Sequence, residues 1–206
     1  MGVKQTIGVF FGSRSPEHDV SIITAQLTIS TLHKLGYPVV PVYITKKGKW
    51  MVGEELGSLK AFVDTTKPAE QQFASLTEYN LDLEASRGKF VFKKKGLLGK
   101  ELVVELAFPT FHGSYGEDGT FQGLCEMLGV PYVGCGIAAS ATAMDKALPK
   151  QICKAERAPI TEFIYFTSAE WRANKASILA TIRKQFKGGV VVKPVHLGSS
   201  IGISKV

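Results

Sequence analysis

The first 44 residues carry the pattern that most restricts the fold, which is a buried strand, an amphipathic helix and a second buried strand in succession. The apolar run TIGVFFG (6–12) predicts the first strand, and Ser15 and Pro16 predict the N-cap and first position of a helix that ends before Gly36. The apolar residues of this helix form one stripe: Ile22, Ala25, Ile29 and Leu32. Residues 39–44 predict the second strand, so a parallel βαβ unit with a right-handed crossover is expected.

The alternation of strands and helices continues as far as residue 133. Apolar runs at 90–92, 101–108 and 131–133 predict strands. Residues 120–128 predict a helix, and residues 43–52 predict a small hairpin. Residues 53–86 have no clear hydrophobic period, and we expect helix and loop there. This order indicates an α/β fold with a doubly wound parallel sheet, whose ligands bind at the carboxyl ends of the strands. The polar loops 13–18 and 112–119 both follow strands, so we expect them to line one crevice.

A domain boundary is predicted at the run Gly-Cys-Gly (134–136), which divides the chain into domains 1–136 and 137–206. The second domain is expected to be α+β, with a helix over 138–155 and a strand over 164–166. Thr167 and Glu170 have the spacing of a capping box, which predicts a helix to about residue 186. A valine run at 190–192, a Gly/Ser loop and a last strand-like run follow.

Composition argues against several classes of protein. No apolar run approaches the roughly 20 residues that cross a bilayer, and the start of the sequence lacks a secretory signal, which favours a cytoplasmic protein without membrane contact. Three cysteines without C-x-x-C spacing indicate reduced thiols rather than disulfides or a zinc site. The net charge of +7 comes with scattered lysines, and the densest run (93–95) lies at a predicted hairpin turn, so no nucleic-acid partner is expected.

The valine run and the Gly/Ser loop after it suit an anion. Lys193 ends the run, where burial would partly desolvate its ammonium group. After four intervening residues, Gly198-Ser199-Ser200-Ile201-Gly202 supplies amides and hydroxyls. Amides and a cation arranged in this way are typical of phosphate binding. A strand-end lysine that reaches solvent and an ordinary turn remain the alternative, because no Walker A motif is present.

Three further sets of polar residues have both a structural and a functional interpretation. Glu17 either stabilises a helix N-terminus or binds a ligand at the predicted crevice. In the loop 112–119, His112 either makes an internal hydrogen bond or contributes to the same site, and Asp118 either caps the helix at 120 or takes part in chemistry. Lys146 is predicted inside a helix, where a lysine is by default solvated.

Taken together, these segments resemble the D-alanine–D-alanine ligase family of the ATP-grasp superfamily. The matching pieces, in the family's order, are FFGSRSPEHDVS (10–21), YITKKGKW (43–50), FPTFHGSYGEDGTFQGLCEMLGVPYVGCGIAASATAMDKALPK (108–150) and VVVKPVHLGSSIGISKV (190–206). The patterns HGxxGEDGTxQG and KPxxxGSSxGxSKV are highly specific. The resemblance implies an N-terminal pre-ATP-grasp domain followed by the first, α+β lobe of an ATP-grasp domain, without the C-terminal lobe.

The resemblance also implies a reaction. It is the ATP-dependent joining of two D-alanines through an acyl phosphate, for peptidoglycan synthesis, with Mg²⁺ as cofactor and a homodimer as the usual assembly. The family's metal ligands lie in the C-terminal lobe, so none is expected in these residues. The sequence is therefore expected to be an incomplete piece that is inactive by itself.

Residue roles follow from the resemblance by position. Glu17 would hold the ammonium group of the first D-alanine, with His112 in the same subsite, and Ser199 would hydrogen-bond to Glu17 and orient the substrate. Glu17 and Ser199 would thus form the catalytic pair. The residues that would contact ATP are Lys146, Lys193 and Ser200.

The sequence departs from the family in small ways and leaves two other functions open. The family often has glycine at Ser13 and proline at Ser114, and both positions fall in loops. One alternative is a non-catalytic protein of the same fold that binds D-alanine or a nucleotide, or that depends on a partner. The other is a ligase with a different acceptor, D-lactate or D-serine.

Overall fold

The computed structural model describes residues 4–63, 78–95 and 101–206. The chain packs as two compact units, Met1–Ala141 and Thr142–Val206. The domain boundary predicted at 134–136 stays a prediction. In the described part of the chain, no helix combines the length and apolar character that a membrane span requires.

The main sheet of the first unit confirms the predicted parallel arrangement. Its strands are β1 (Ile7–Gly12), β2 (Val39–Ile44), β3 (Trp50–Val52) and β7 (Leu106–Pro109), in the order β3-β2-β1-β7. Strands β2, β1 and β7 are parallel, and β3 pairs antiparallel with β2 as the predicted hairpin requires. In this register Phe10 lies beside Pro109 and Gly12 beside Ile44. The carboxyl ends of all three parallel strands therefore meet at one edge.

Helix α1 (His18–Lys34) connects β1 to β2 and buries the predicted stripe of Ile22, Ala25, Ile29 and Leu32. The helix begins two residues later than predicted, and Glu17 rather than Ser15 is its N-cap residue. The reason is a tight turn after β1, in which Ser13 adopts a left-handed conformation with φ of 75° and the Ser15 hydroxyl accepts a hydrogen bond from the Glu17 N–H (3.0 Å). Residues 13–17 are therefore used for the turn and not for the helix.

A second sheet contains β4 (Tyr79–Leu81), β5 (Phe90–Lys94) and β6 (Glu101–Val104), all antiparallel. The single strand predicted over 101–108 is wrong, because Glu105 separates β6 from β7 and the two strands belong to different sheets. Glu105 bonds to Thr6 through both its backbone N–H (2.9 Å) and its carboxylate (2.8 Å), which fixes this transition.

The helix and loop predicted over 53–86 are only partly described. Residues 54–61 form two short 3-10 turns, and β4 is a strand that the pattern did not predict. Residues 64–77 of that segment, and residue 96 of the predicted lysine-rich turn, lie outside the described residues. Lys93 and Lys94 belong to β5 itself, and both are exposed.

Aromatic side chains join the two sheets to α2 (Thr120–Leu128). The Phe10 ring lies 5.1 Å from the Phe90 ring and 4.8 Å from the Phe121 ring, measured between centroids. All three rings are buried, so β1, β5 and α2 share one core. Helix α2 has its predicted bounds, whereas the strand predicted at 131–133 is reduced to one bridge between Tyr132 and Ala107.

The helix predicted over 138–155 is two helices, α3 (Ile137–Met144) and α4 (Leu148–Ala155). Asp145 causes the break, because its Oδ1 accepts hydrogen bonds from the backbone N–H groups of Ala147 (2.8 Å) and Leu148 (3.0 Å). These bonds form a turn between Met144 and Leu148 that competes with a continuous helix. The strand predicted at 164–166 is also wrong, since these residues belong to no strand.

The capping box of α5 (Ser168–Gln185) is confirmed. The Thr167 hydroxyl accepts from the Glu170 N–H (3.1 Å), and the Glu170 carboxylate accepts from the Thr167 N–H (2.7 Å). After α5, β8 (Val191–Val192) and β9 (Ser204–Lys205) form a two-stranded antiparallel sheet. The Gly/Ser loop therefore connects two adjacent strands of the second unit.

Candidate functional site

The two polar loops of the first unit meet at the carboxyl ends of β1 and β7. The Ser13 hydroxyl donates to the Ser114 carbonyl (3.2 Å), and the Arg14 guanidinium lies 4.6 Å from the centre of the Tyr115 ring. A Cβ atom at Gly113, which has φ of +75°, would collide with the Glu17 carboxylate. The loops thus touch, and glycine at position 113 permits their close approach.

Glu17 is a buried acidic residue of this crevice. Its side chain is only 5% exposed, and it occupies the N-cap position of α1, where the helix dipole stabilises a negative charge. The backbone N–H of Glu17 donates a hydrogen bond to the Ser15 hydroxyl oxygen (3.0 Å), which holds the backbone at this position. A buried carboxylate at such a position suits the ammonium group of a small ligand.

His112 leads the second loop and is half-buried. Its Nε2 lies 2.8 Å from the hydroxyl oxygen of Thr24, which in turn donates to the Val20 carbonyl (3.2 Å). The contact with Thr24 therefore sets the ring orientation of His112.

The acidic residues of the second loop shape its backbone. The Glu117 carboxylate accepts from the Gly113 N–H (2.6 Å), and the Asp118 carboxylate accepts from the N–H groups of Tyr115 (2.8 Å) and Thr120 (3.0 Å). Burial acts to raise the pKa of Asp118, but hydrogen bonds from Thr120 and Tyr115 outweigh it and lower that pKa. Asp118 thus has the structural role that the sequence left open, at the start of α2.

In the second unit, the loop after β8 contains unusual backbone conformations. Ser199, Ser200 and Gly202 have φ values of 45°, 61° and 72°, and the Ile201 N–H donates to the Gly198 carbonyl (2.9 Å). Serine rarely adopts positive φ, and such residues concentrate at ligand sites. Both serines are exposed, as an anion-binding loop requires.

Lys146 lies beside this loop. It is placed between α3 and α4, so the predicted position inside a helix is wrong, and the cause is the turn that Asp145 forms with Ala147 and Leu148. The Lys146 N–H donates to the Val195 carbonyl (3.0 Å), and its ammonium group donates to the Leu197 carbonyl. The backbone connection to residues 195–197 places Lys146 next to the serines of the same unit.

Lys193 follows β8 directly and is exposed, so the expected desolvation of its ammonium group is wrong. The reason is that β8 pairs with β9 in a sheet of two strands, and Val191 and Val192 stay 53% and 48% exposed. The roles assigned to Glu17, His112, Ser199, Lys146, Lys193 and Ser200 stay predictions, as does the hydrogen bond between Glu17 and Ser199.

Sequence patterns did not predict the roles of Thr24, His18 and Tyr43. His18 is 2% exposed and bonds to Ser13 and Tyr43. The sequence contains a signal for the burial of His18, because His18 precedes Ile22 by four residues and so lies on the buried face of α1. No local pattern indicates Tyr43 as its partner, since the contact joins α1 to β2.

Clusters of potential metal ligands are predicted to lie outside residues 1–206. Among residues 4–63, 78–95 and 101–206, no group of three or more His, Cys, Asp or Glu side chains is arranged to hold a metal ion.

Comparison with known proteins agrees with this fold. The family D-ala D-ala ligase N-terminus matches residues 6–135, and the family D-ala D-ala ligase C-terminus matches residues 152–206. A D-alanine–D-alanine ligase of Thermosipho melanesiensis is 38% identical over 200 residues, which cover 97% of this chain and 52% of that protein. The chain spans about half the length of the curated relatives it matches.

Two solved structures extend this result. The D-alanine–D-alanine ligase of Coxiella burnetii has a TM-score of 0.80 and 25% identity, covering 100% of this chain and 55% of that one. The VanG D-Ala:D-Ser ligase of Enterococcus faecalis has a TM-score of 0.74 and 28% identity, covering 98% and 55%. The fold class is thus that of the N-terminal part and first ATP-grasp lobe of a ligase. More particularly, the chain belongs to the D-alanine–D-alanine ligase family.

Proposed function

We propose that this chain forms the first D-alanine subsite and part of the ATP site of an enzyme that joins two D-alanines for peptidoglycan synthesis. The observation that carries the proposal is the meeting of the two loops around Glu17, which is 5% exposed at the carboxyl edge of the sheet. A buried carboxylate at this position matches the ammonium group of an amino acid.

In the proposed reaction, the carboxylate of the first D-alanine attacks the γ-phosphate of ATP and forms an acyl phosphate. The amine of the second D-alanine then displaces phosphate through a tetrahedral intermediate. A carboxylate and a triphosphate repel each other, so the enzyme must fix their positions and supply positive charge. Glu17 would hold the first substrate by its ammonium group, and His112, oriented by Thr24, would lie in the same subsite.

The phosphates of ATP would bind at the second unit. Lys146 and Lys193 would supply positive charge, and the hydroxyl and amides at Ser200 would contact the transferred phosphate. The positive φ of Ser199 and Ser200 supports this proposal, because serine rarely adopts this conformation and such residues concentrate at ligand sites. Mg²⁺ would neutralise phosphate charge when it is bound.

The test is ligand binding by the purified chain. We expect D-alanine, but not L-alanine, to shift backbone amide resonances of loops 13–18 and 112–119 in an NMR titration. ATP should shift those of residues 193–202. Equal responses to D- and L-alanine would contradict the proposal.

Phosphate release separates an enzyme from a non-catalytic binding protein. ATP, Mg²⁺ and D-alanine are incubated with this chain and with the product of the complete open reading frame. Because the chain spans about half the length of its relatives, we expect phosphate release only from a product that also contains the rest of the family's length. D-alanine binding by a complete product that releases no phosphate would favour the binding protein.

A second acceptor is a specific alternative, because one structural neighbour is a D-Ala:D-Ser ligase. The assay of the complete reading frame should therefore be run with D-alanine plus D-serine or D-lactate. Mass spectrometry of the products identifies the acceptor directly. An excess of the mixed dipeptide or depsipeptide over D-alanyl-D-alanine would show that D-serine or D-lactate, and not D-alanine, is the preferred acceptor.

We also propose a homodimer in the cytoplasm, where ATP is available. The face of α1 opposite its buried stripe carries Val20, Ile23 and Leu27, which are 46%, 64% and 70% exposed. A second copy would cover this apolar face. Leu27→Lys should then lower the mass measured by light scattering, whereas Leu59→Lys, at a position 46% exposed outside this face, should not. An unchanged mass for Leu27→Lys would exclude this face.

A further inference from the structure

A fully buried histidine stands next to Glu17, and both of its ring nitrogens have partners. His18 is 2% exposed; its Nδ1 lies 2.5 Å from the Ser13 carbonyl oxygen, and its Nε2 lies 2.9 Å from the Tyr43 hydroxyl. Its ring also packs edge-on against the Tyr43 ring at 5.4 Å. Such a side chain has no free nitrogen for a ligand, so any functional role must act through its partners.

The hydrogen bonds fix the protonation of the ring. A carbonyl oxygen only accepts, so Nδ1 carries a proton and donates it to Ser13. Burial lowers the pKa of His18, which favours the neutral ring. In the neutral ring Nε2 has no proton, and the Tyr43 hydroxyl therefore donates to it. The result is a directed chain of hydrogen bonds from β2 through α1 to the turn after β1.

The residue that receives this bond has an uncommon backbone conformation. Ser13 has φ of 75°, is 2% exposed, and donates its N–H to the Ile44 carbonyl (2.7 Å). Serine does not favour this conformation by itself, so its surroundings must hold it there. The His18 ring supplies one of the bonds that do so.

From Ser13 the hydrogen bonds continue to the carboxylate residue. The Ser15 N–H donates to the Ser13 hydroxyl (3.3 Å), and the Glu17 N–H donates to the Ser15 hydroxyl (3.0 Å). The Ser13 hydroxyl also donates to the Ser114 carbonyl of the opposite loop (3.2 Å). The position of Ser13 thus affects both sides of the crevice.

We propose that His18 is a positioning residue, whose Nδ1–H bond to Ser13 fixes the turn 13–17 and thereby holds the Glu17 carboxylate where it binds the ammonium group of D-alanine. This inference rests on the proposed function. It differs from a simple packing role, because it assigns the effect to one hydrogen bond at one ring nitrogen.

Two substitutions separate these roles. In His18→Asn the side-chain amide lies near the position of Nδ1 and keeps a donor for Ser13. In His18→Gln the longer side chain places its amide near Nε2, which keeps the contact with Tyr43 and loses the donor to Ser13. Both replace an aromatic ring by a smaller amide, so both lose similar packing. The exposed His33 near the end of α1 supplies the control, His33→Gln.

The readout is the Kd for D-alanine, measured by NMR titration of the purified chain, with urea unfolding as a record of stability. We expect His18→Gln to raise Kd about tenfold, as loss of one buried hydrogen bond gives. His18→Asn should stay within about threefold of the wild type, and His33→Gln should match it. Equal increases of Kd in His18→Asn and His18→Gln would overturn the inference, as would a wild-type Kd in His18→Gln.

Two further measurements remain decisive if a variant does not fold. The ¹⁵N chemical shifts of the wild-type ring must show a proton on Nδ1 of His18, and a neutral ring protonated on Nε2 would contradict the inference. Tyr43→Phe, which keeps the Nδ1 bond, should retain D-alanine binding. If the wild-type chain does not discriminate D-alanine from L-alanine, the proposed function itself is wrong. If the wild-type chain binds D-alanine specifically and His18→Gln has the same Kd, only the positioning role of His18 is rejected.

Discussion

The two units hold their candidate residues in different ways. In Met1–Ala141 Glu17 is 5% exposed and sits in a turn tied to β2, α1 and the opposite loop, whereas in Thr142–Val206 Lys193, Ser199 and Ser200 are all exposed. Among the described residues, the buried apolar side chains lie in the first unit except for Ala147. The proposed amino-acid subsite is therefore preorganised by a core, while the proposed phosphate loop is built on a small sheet.

The largest effect should come from the core of the first unit. Phe10→Ala removes a fully buried ring that packs on Phe90 and Phe121, and it should lower the free energy of unfolding of that unit by about 3–5 kcal/mol. Leu179→Ala, at a half-buried position of α5, should cost clearly less. Urea unfolding followed by NMR signals of each unit measures both, and equal losses would remove the contrast between the units.

The next effect concerns the preorganised carboxylate. Glu17→Gln removes the charge that would bind an ammonium group and should weaken D-alanine binding by about 2 kcal/mol, or roughly thirtyfold. Glu54→Gln, at an exposed acidic position of the same unit, is the matched control. The titration of the purified chain measures both Kd values. A wild-type Kd for Glu17→Gln would remove Glu17 from the site.

A smaller effect is expected at the exposed phosphate loop. Lys193→Met should weaken ATP binding about tenfold, and the loss should shrink at high salt because the ammonium group is in contact with solvent. Lys187→Met, which is also exposed, should leave ATP binding unchanged. Isothermal titration at low and high salt measures the difference, and equal ATP affinities for the two variants would contradict the assignment of Lys193.

The smallest effect is a pH dependence confined to the first unit. Burial lowers the pKa of His18 from its usual 6.5, so below that pH the unfolded chain binds more protons than the folded one. The free energy of unfolding should therefore fall as the pH drops from about 7 towards the folded-state pKa of His18, and this contribution is fully present above pH 6.5. Urea unfolding between about pH 7 and 5 measures the slope. His18→Gln should flatten it, and an unchanged slope would assign it to other groups.

Local patterns predicted the elements whose signals are short-range. The stripe of α1, the bounds of α2 and the capping box of α5 follow from residues three or four apart, and all are confirmed. The sequence predictions are wrong where a hydrogen bond to one side chain interrupts a helix or strand. Asp145 separates α3 from α4 by bonding to Ala147 and Leu148, and Glu105 separates β6 from β7 by bonding to Thr6. Neither interruption is visible in the apolar periodicity.

The candidate site was predicted in part. Glu17, His112 and the serine loop stand out because polar residues and glycines follow predicted strands, and the contact between loops 13–18 and 112–119 is confirmed. The residues behind the site were not predicted. Thr24 reaches His112 across 88 positions, and His18 reaches Tyr43 across 25, so their pairing depends on the register of β1, β2 and β7.

The sequence alone determined the parallel α/β fold class, the resemblance to the ligase family and the residues that carry its motifs, because strand periodicity and motif spacing are local properties of the chain. Only the tertiary structure decided which groups hold those residues in place. Burial, the left-handed turn at Ser13 and the hydrogen bonds from Tyr43 through His18 arise when β1, β2 and α1 pack together. A buried polar group must find its partners in space, and those partners are distant in sequence.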